Sequence, residues 1–328
     1  MALLLLDRAN LQVRTEGDAL ALYEAGTRRG TVPIKLIDRC VVHGTQTQLD
    51  SGMLLKLAEA GAAVIFMSPR QHRRVAMVLG PRHNDAAVRL AQARLVLDEA
   101  HCQQWSRQLV RAKLQRQCRS LEHWLAERPD GRKPLSDALQ SIRSALQMLA
   151  PEEPVGVERL RGLEGAAARA YFGGFAAVLP PALQFTGRNR RPPRDPVNAC
   201  LSLGYTLLHA QAVQACHAAG LDPLLGFYHR PAFGRESLAS DLIEPLRSEV
   251  DQWVWRLVRQ RELREHHFTL DKGCCLLGKP GRSIFYARWE SQQASWKRWL
   301  RLQTQALARQ LRQQGEAWLE HDAEDEVN

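Results

Sequence analysis

The sequence predicts an α+β protein, a small β-rich N-terminal domain over residues 1–80 followed by a larger all-helical C-terminal domain over 85–328. Three observations predict it. Short apolar or alternating runs separated by turn residues fill the first part of the chain, Gly80-Pro81 breaks the pattern, and from Asp85 onward apolar residues recur at helical spacing with few interruptions. A chain of 328 residues also exceeds the usual size of one domain.

Leu3–Leu6, Leu11–Arg14, Ala19–Tyr23 and Thr31–Ile34 read as strands, with Glu16-Gly17-Asp18 and Ala25-Gly26 supplying turns between them. Leu36–Val42 adds a further strand that His43-Gly44 ends. Met53, Leu54, Leu57 and Ala58 then share one helical face until Gly61 stops the helix, and Ala62–Met67 returns to strand. Residues 78–84 form the expected linker. The helices expected beyond it cover Ala86–Arg128, Leu135–Leu149, Val157–Leu179, Pro196–Ala219 and Leu238–Glu265, with Pro129–Pro134 and Pro151–Pro154 as short loops.

With 45% hydrophobic residues the chain has material for a buried core, yet no segment approaches the apolar run of about 20 residues that a membrane span needs. Ala2–Leu6 is too short for a signal-peptide core, so a cytoplasmic protein is expected. The seven cysteines lack Cys-x-x-Cys spacing, which argues against a disulfide framework or structural zinc, and the Cys274-Cys275 pair receives no role. A net charge of +10 points towards a polyanionic partner, nucleic acid first, although a basic and indifferent surface would look the same.

Two stretches place metal-binding residue types near glycine and a basic loop. Leu163-Glu164-Gly165 leads into the alanine-rich part of a helix, whose small side chains would let another helix or a DNA strand approach Glu164. Gly226-Phe227-Tyr228-His229 precedes Pro231, where an ordered segment gives way to a loop, and Asp241-Leu242-Ile243-Glu244 follows. Each residue also has an ordinary reading: Glu164 as a solvated helix carboxylate, His229 as a structural histidine, Asp241 as a helix N-cap with Glu244 completing a capping box. Two carboxylates and an imidazole from separate helices would suit Mg²⁺ or Mn²⁺ better than zinc, and such ions serve phosphoryl transfer on DNA. Between these stretches, Arg188, Arg190, Arg191 and Arg194 form a basic loop that would meet phosphates or simply face solvent. Tryptophans 253, 255, 289, 296 and 299 read as core or interface anchors rather than base-stacking platforms.

The ordered set of motifs resembles one family. Leu6-Asp7-Arg8-Ala9-Asn10, Val41-Val42-His43-Gly44 and Ala60–Phe66 are similar to the β-rich N-terminal domain of the CRISPR-associated integrases ("Cas one"), and Arg89-Leu90-Ala91-Gln92 to the start of their helical domain. Glu164-Gly165 with Ala168-Arg169 and Tyr171, Asp195-Pro196-Val197-Asn198 with Ser202–Tyr205, Gly226–His229 and Asp241–Arg247 carry the resemblance further, over residues 3 to 250 in the family's order. Tyr228 is a departure where leucine or valine often stands, and beyond Leu270 the resemblance is thin.

The resemblance implies a metal-dependent DNA endonuclease and integrase that inserts prespacer DNA into a CRISPR array by 3′-hydroxyl attack on a phosphodiester. It implies Glu164, His229 and Asp241 as catalytic metal ligands, Glu244 and Asn198 as polar neighbours of the site, a homodimer joined through the N-terminal domains, and a small ferredoxin-like partner ("Cas two"). Two other readings remain open on the sequence: a nuclease acting on branched or single-stranded DNA in repair, and a non-catalytic DNA-binding scaffold.

Overall fold

A computed structural model describes residues 2–43, 46–68, 74–81, 83–149, 156–189 and 192–325. The chain divides into two compact units, Met1–Asn84 with Gly278–Lys297, and Asp85–Leu277 with the residues from Arg298 onward. No helix is long and apolar enough to cross a membrane among the described residues.

The N-terminal unit contains two four-stranded sheets. Strands β1 (Ala2–Leu6), β5 (Ile37–Val42) and β7 (Ala63–Met67) pair in parallel, and β8 (Arg74–Val78) closes that sheet antiparallel to β7. Strands β2 (Leu11–Glu16), β3 (Ala19–Glu24) and β4 (Thr27–Pro33) form a meander, with the short β6 (Gln48–Leu49) parallel to β2. β5 is buried along its whole length, as a central parallel strand should be. Helix α1 (Ser51–Glu59), capped by Asp50 through Gly52 N–H at 3.0 Å, buries Met53 and Leu57 in the core that includes Val13, Leu20 and Val64. Gly80 is a packing requirement as well as a break, since a Cβ there would lie 2.2 Å from the carbonyl oxygen of Ala58.

The helical unit comprises α2 (Ala86–Leu97), α3 (Glu99–Glu127), α4 (Arg132–Met148), α5 (Val157–Ala177), α6 (Pro196–Ala218), α7 (Ser237–Ile243) and α8 (Arg247–Arg259). Three expectations change. The helix expected over 86–128 is broken at Asp98, which ends α2 and caps α3 through His101 N–H at 3.0 Å. The helix expected over 238–265 is broken at Glu244–Leu246, a 3₁₀ turn around Pro245, and ends at Arg259. The C-terminal unit is also not all-helical. β9 (Phe268–Asp271) and β10 (Cys274–Leu277) form an antiparallel hairpin whose Lys272-Gly273 turn has both residues in the left-handed region, the conformation that suits a two-residue hairpin.

After the hairpin, α9 (Lys279–Asp325) begins with the stretch that belongs to the N-terminal unit. Within that unit Arg282 pairs with Asp7 at 2.9 Å and Tyr286 meets His43 Nε2 at 2.6 Å. The N-terminal unit is therefore completed by residues some 200 positions away, which a division at 78–84 alone does not include. Trp253, Trp255, Trp289 and Trp296 are buried, and Trp299 is half-buried beneath the Arg116 guanidinium. All seven cysteines are unpaired.

Candidate metal centre

The centre of the helical unit is organised by a tight loop before α7. Leu238 N–H donates to Pro223 O at 2.9 Å, drawing the loop back against the start of the helix. Gly226 makes that approach possible, because a Cβ there would meet the backbone of Ser237 at 2.5 Å and His229 O at 2.8 Å. The backbone of Phe227, Tyr228 and His229 consequently passes directly over Asp241.

Asp241 is fully buried inside α7, so it is not the N-cap that its spacing to Glu244 allowed. Its Oδ2 accepts from Phe227 N–H at 2.8 Å and Tyr228 N–H at 3.0 Å, and its Oδ1 from His229 N–H at 2.9 Å and His229 Nδ1 at 2.7 Å. Burial pushes its carboxyl above the usual range, opposed by the bonds from His229 and Tyr228. With Asp241 ionised, the proton lies on Nδ1 and the Nε2 lone pair is left available, the form in which imidazole binds a metal.

The other half of the cluster gathers on a cation. Lys113 of α3 forms ion pairs with Glu164 of α5 through Oε1 and with Glu244 through Oε2, the latter at 2.6 Å. Tyr228 donates its hydroxyl to the second oxygen of Glu164 at 3.0 Å, and Arg247 Nε reaches the second oxygen of Glu244 at 2.7 Å. Burial would raise Glu244, but Arg247 and Lys113 outweigh it and hold the carboxyl well below the usual range, with His229 close enough to contribute. Beside Glu164, Gly162 and Gly165 face open space, so the exposed side of α5 leaves room for an approaching chain.

Glu164, Glu244, His229 and Asp241 are thus brought into one cluster. The donor chemistry fits a hard divalent ion: two carboxylates already sharing a cation, and an imidazole fixed through its far nitrogen. Among the described residues no three acid, histidine or cysteine groups stand ready to hold a metal, since Lys113 lies between the glutamates and Asp241 is spent on the loop and on His229.

The basic loop is a separate knot at the start of α6. Asp195 caps that helix through Asn198 N–H at 2.8 Å, and the buried Asn198 amide spends its oxygen on Arg188 at 2.7 Å and on Asn189 N–H at 3.1 Å. Asn198 therefore shapes the loop and bonds to none of the four cluster residues. Arg188 also lies over the ring of Tyr205, centroid 5.3 Å, and Arg247 over the same ring at 4.6 Å, so Tyr205 connects the loop to the Glu244 side of the cluster. Arg194 is exposed, whereas Arg190 and Arg191 lie outside the described residues.

A family model described as CRISPR associated protein Cas1 matches residues 4–291. The chain belongs to the Cas1 family. The curated "CRISPR-associated endonuclease Cas1 1" of Thermodesulfovibrio yellowstonii is 33% identical over 296 residues, 88% of this chain and 91% of that protein. Among solved structures, a casposase bound to integration product matches with a TM-score of 0.81 at 22% identity, over 96% of this chain and 91% of its own. A Cas6-RT-Cas1–Cas2 complex matches at 0.77 and 22% identity, over 95% of this chain and 35% of its own. At such identities the structural likeness is one of fold.

In this Cas1-family chain two cluster residues escape a motif-based reading. Lys113 sits on the buried stripe of α3 with Val110, Leu114 and Gln117, and a lysine at such a position is the sequence signal that would have found it. Tyr228, which stands where leucine or valine is often found in the family, holds a cluster carboxylate by a hydrogen bond that neither of those residues could make.

Proposed function

We propose that this Cas1-family chain is a divalent-metal-dependent DNA endonuclease and integrase, joining the 3′-hydroxyl of a prespacer strand to a phosphodiester of a CRISPR repeat. The observation that carries the proposal is the meeting of Glu164 and Glu244 on one cation beside an imidazole whose Nδ1 is bonded to a fully buried aspartate. The endonuclease relative and the casposase holding an integration product support the reaction class. The partners follow the same reading: DNA, a second copy of the chain through the N-terminal unit, and a Cas2 subunit such as the one in the matching complex.

Glu164, His229 and Glu244 would hold Mg²⁺ or Mn²⁺. Asp241, expected from the resemblance among the ligands, is assigned here to fixing His229, because its oxygens are held by three backbone N–H groups and by the imidazole itself, whereas each glutamate gives one oxygen to the side chain of Lys113. When bound, such an ion lowers the pKa of the attacking hydroxyl or water and neutralises charge on the phosphate. Tyr228 orients Glu164, Asp241 keeps the His229 proton on Nδ1, and Arg247 keeps Glu244 ionised at neutral pH. Arg188, Arg190, Arg191 and Arg194 would carry the DNA backbone.

The test is strand transfer of a labelled prespacer into a supercoiled plasmid bearing a CRISPR repeat, with Cas2 and Mn²⁺ or Mg²⁺. The wild type should join strands, while Glu164→Gln, His229→Ala and Glu244→Gln lose more than about 100-fold in rate and still bind DNA. Asp241→Asn, acting through His229, should lose about 10- to 100-fold. Cleavage of branched DNA without joining would favour a repair nuclease, and unimpaired joining by all the variants would leave a DNA-binding scaffold.

A further inference from the structure

Lys113 is an unusual residue for the inward stripe of a helix. Its side chain is 11% exposed, and a buried ammonium persists only where its charge is answered. Burial pushes its pKa down, and Glu244 and Glu164 more than reverse that, so the side chain stays a cation.

The pairing divides the four glutamate oxygens into two kinds. Glu164 gives Oε1 to Lys113 and has Oε2 held by the Tyr228 hydroxyl. Glu244 gives Oε2 to Lys113 and has Oε1 held by Arg247 Nε. Tyr228 and Arg247 are themselves fixed, the first by backbone bonding to Asp241 and the second by packing over Tyr205. Each carboxylate is therefore anchored through one oxygen and keeps its orientation when the other changes partner. The two remaining oxygens converge on a single ammonium, carried on a flexible four-carbon stem and so able to leave. An ammonium and a divalent ion cannot share that position, because like charges a few ångströms apart repel strongly where water is scarce.

We propose that Lys113 is an internal counter-ion that competes with a divalent metal for the inner oxygens of Glu164 and Glu244, holding the centre together until the metal enters and withdrawing when it binds. This rests on the metal-site reading above. Lys113 is a positioning residue in this scheme: it keeps two like-charged carboxylates at a fixed separation and sets the concentration at which a metal displaces it.

The experiment measures Mn²⁺ binding to the purified full-length chain by electron paramagnetic resonance, with thermal unfolding in parallel, for the wild type, Lys113→Gln and Lys113→Arg. Lys113→Gln should bind Mn²⁺ at least about tenfold more tightly than the wild type, because the competitor is gone. It should melt below the wild type without Mn²⁺ and recover when Mn²⁺ is added. Lys113→Arg keeps the charge and should bind no more tightly than the wild type. Equal or weaker Mn²⁺ binding by Lys113→Gln overturns the proposal while leaving the metal site standing, as does a melting loss that Mn²⁺ fails to restore. If neither the wild type nor Lys113→Gln binds Mn²⁺, the metal-site reading itself falls and Lys113 is a purely structural cation.

Discussion

Asp241 and Glu244 are three residues apart and both buried, yet they are satisfied in opposite ways. Asp241 is met by three backbone N–H groups and one imidazole nitrogen, and burial dominates its environment, lifting its carboxyl above the usual range. Glu244 is met by two cations, which hold its carboxyl far below that range despite equal burial. A carboxylate answered by backbone dipoles is locked, since those donors cannot leave without unfolding the loop. A carboxylate answered by a lysine can exchange one cation for another. The contrast lies in what answers each acid, within one short stretch of chain.

The largest effect should come from breaking the locked half. Asp241→Asn puts an amide N–H₂ against backbone donors, and the loss should be about 3 kcal/mol in urea unfolding, with His229 left unoriented. An Asp241→Asn protein as stable as the wild type would mean that the loop holds itself, and that the acid is free for another role.

A third buried carboxylate sharpens the contrast. Asp251 faces the Tyr205 hydroxyl, and burial raises its pKa from an ordinary 3.8 to about 6, only partly opposed by that bond and by Arg188 and Arg247. A folded-state pKa above the unfolded value means the native state holds the proton more tightly. Stability from this group is therefore complete below pH 3.8 and is lost as pH rises through about 6. Asp251→Asn should remove up to about 3 kcal/mol of that slope between pH 4 and 6, read as melting temperature against pH. An unchanged slope would assign the titration to another group.

The smallest effect is expected at the departure from the family pattern. Tyr228→Phe removes one hydrogen bond to Glu164 and should cost about 1 kcal/mol of stability, with Mn²⁺ binding weakened less than in Glu164→Gln. If Tyr228→Phe abolishes binding as completely as Glu164→Gln, the hydroxyl is part of the donor set rather than a support for it.

Much of this arrangement is legible in the residues. The alternation and turns of the first 67 positions, the Gly80-Pro81 break and the helical periodicity beyond Asp85 announce a strand-rich unit and a helical one, and both exist. The helix breaks at Asp98 and Pro245 were present as a capping aspartate and a proline, but long apolar periodicity on either side masked them. The hairpin at Phe268–Leu277 was hidden because its short strands and Lys272-Gly273 turn lack the usual asparagine or aspartate signal.

For the site, the sequence alone determined the cast: a glutamate on a small-residue helix, a histidine before a loop, and an acidic pair three residues apart, all in the order of one family. What each of them meets is decided only in three dimensions. Whether an acid binds a metal, caps a helix or holds a histidine depends on which donors lie within about 3 Å of its oxygens, and the decisive one at the two glutamates comes from a distant position in the chain. Lys113 lies 51 residues from Glu164 and 131 from Glu244. No local pattern encodes such a meeting, because it is produced by the packing of α3 against neighbours whose burial, rather than whose spacing, selects it.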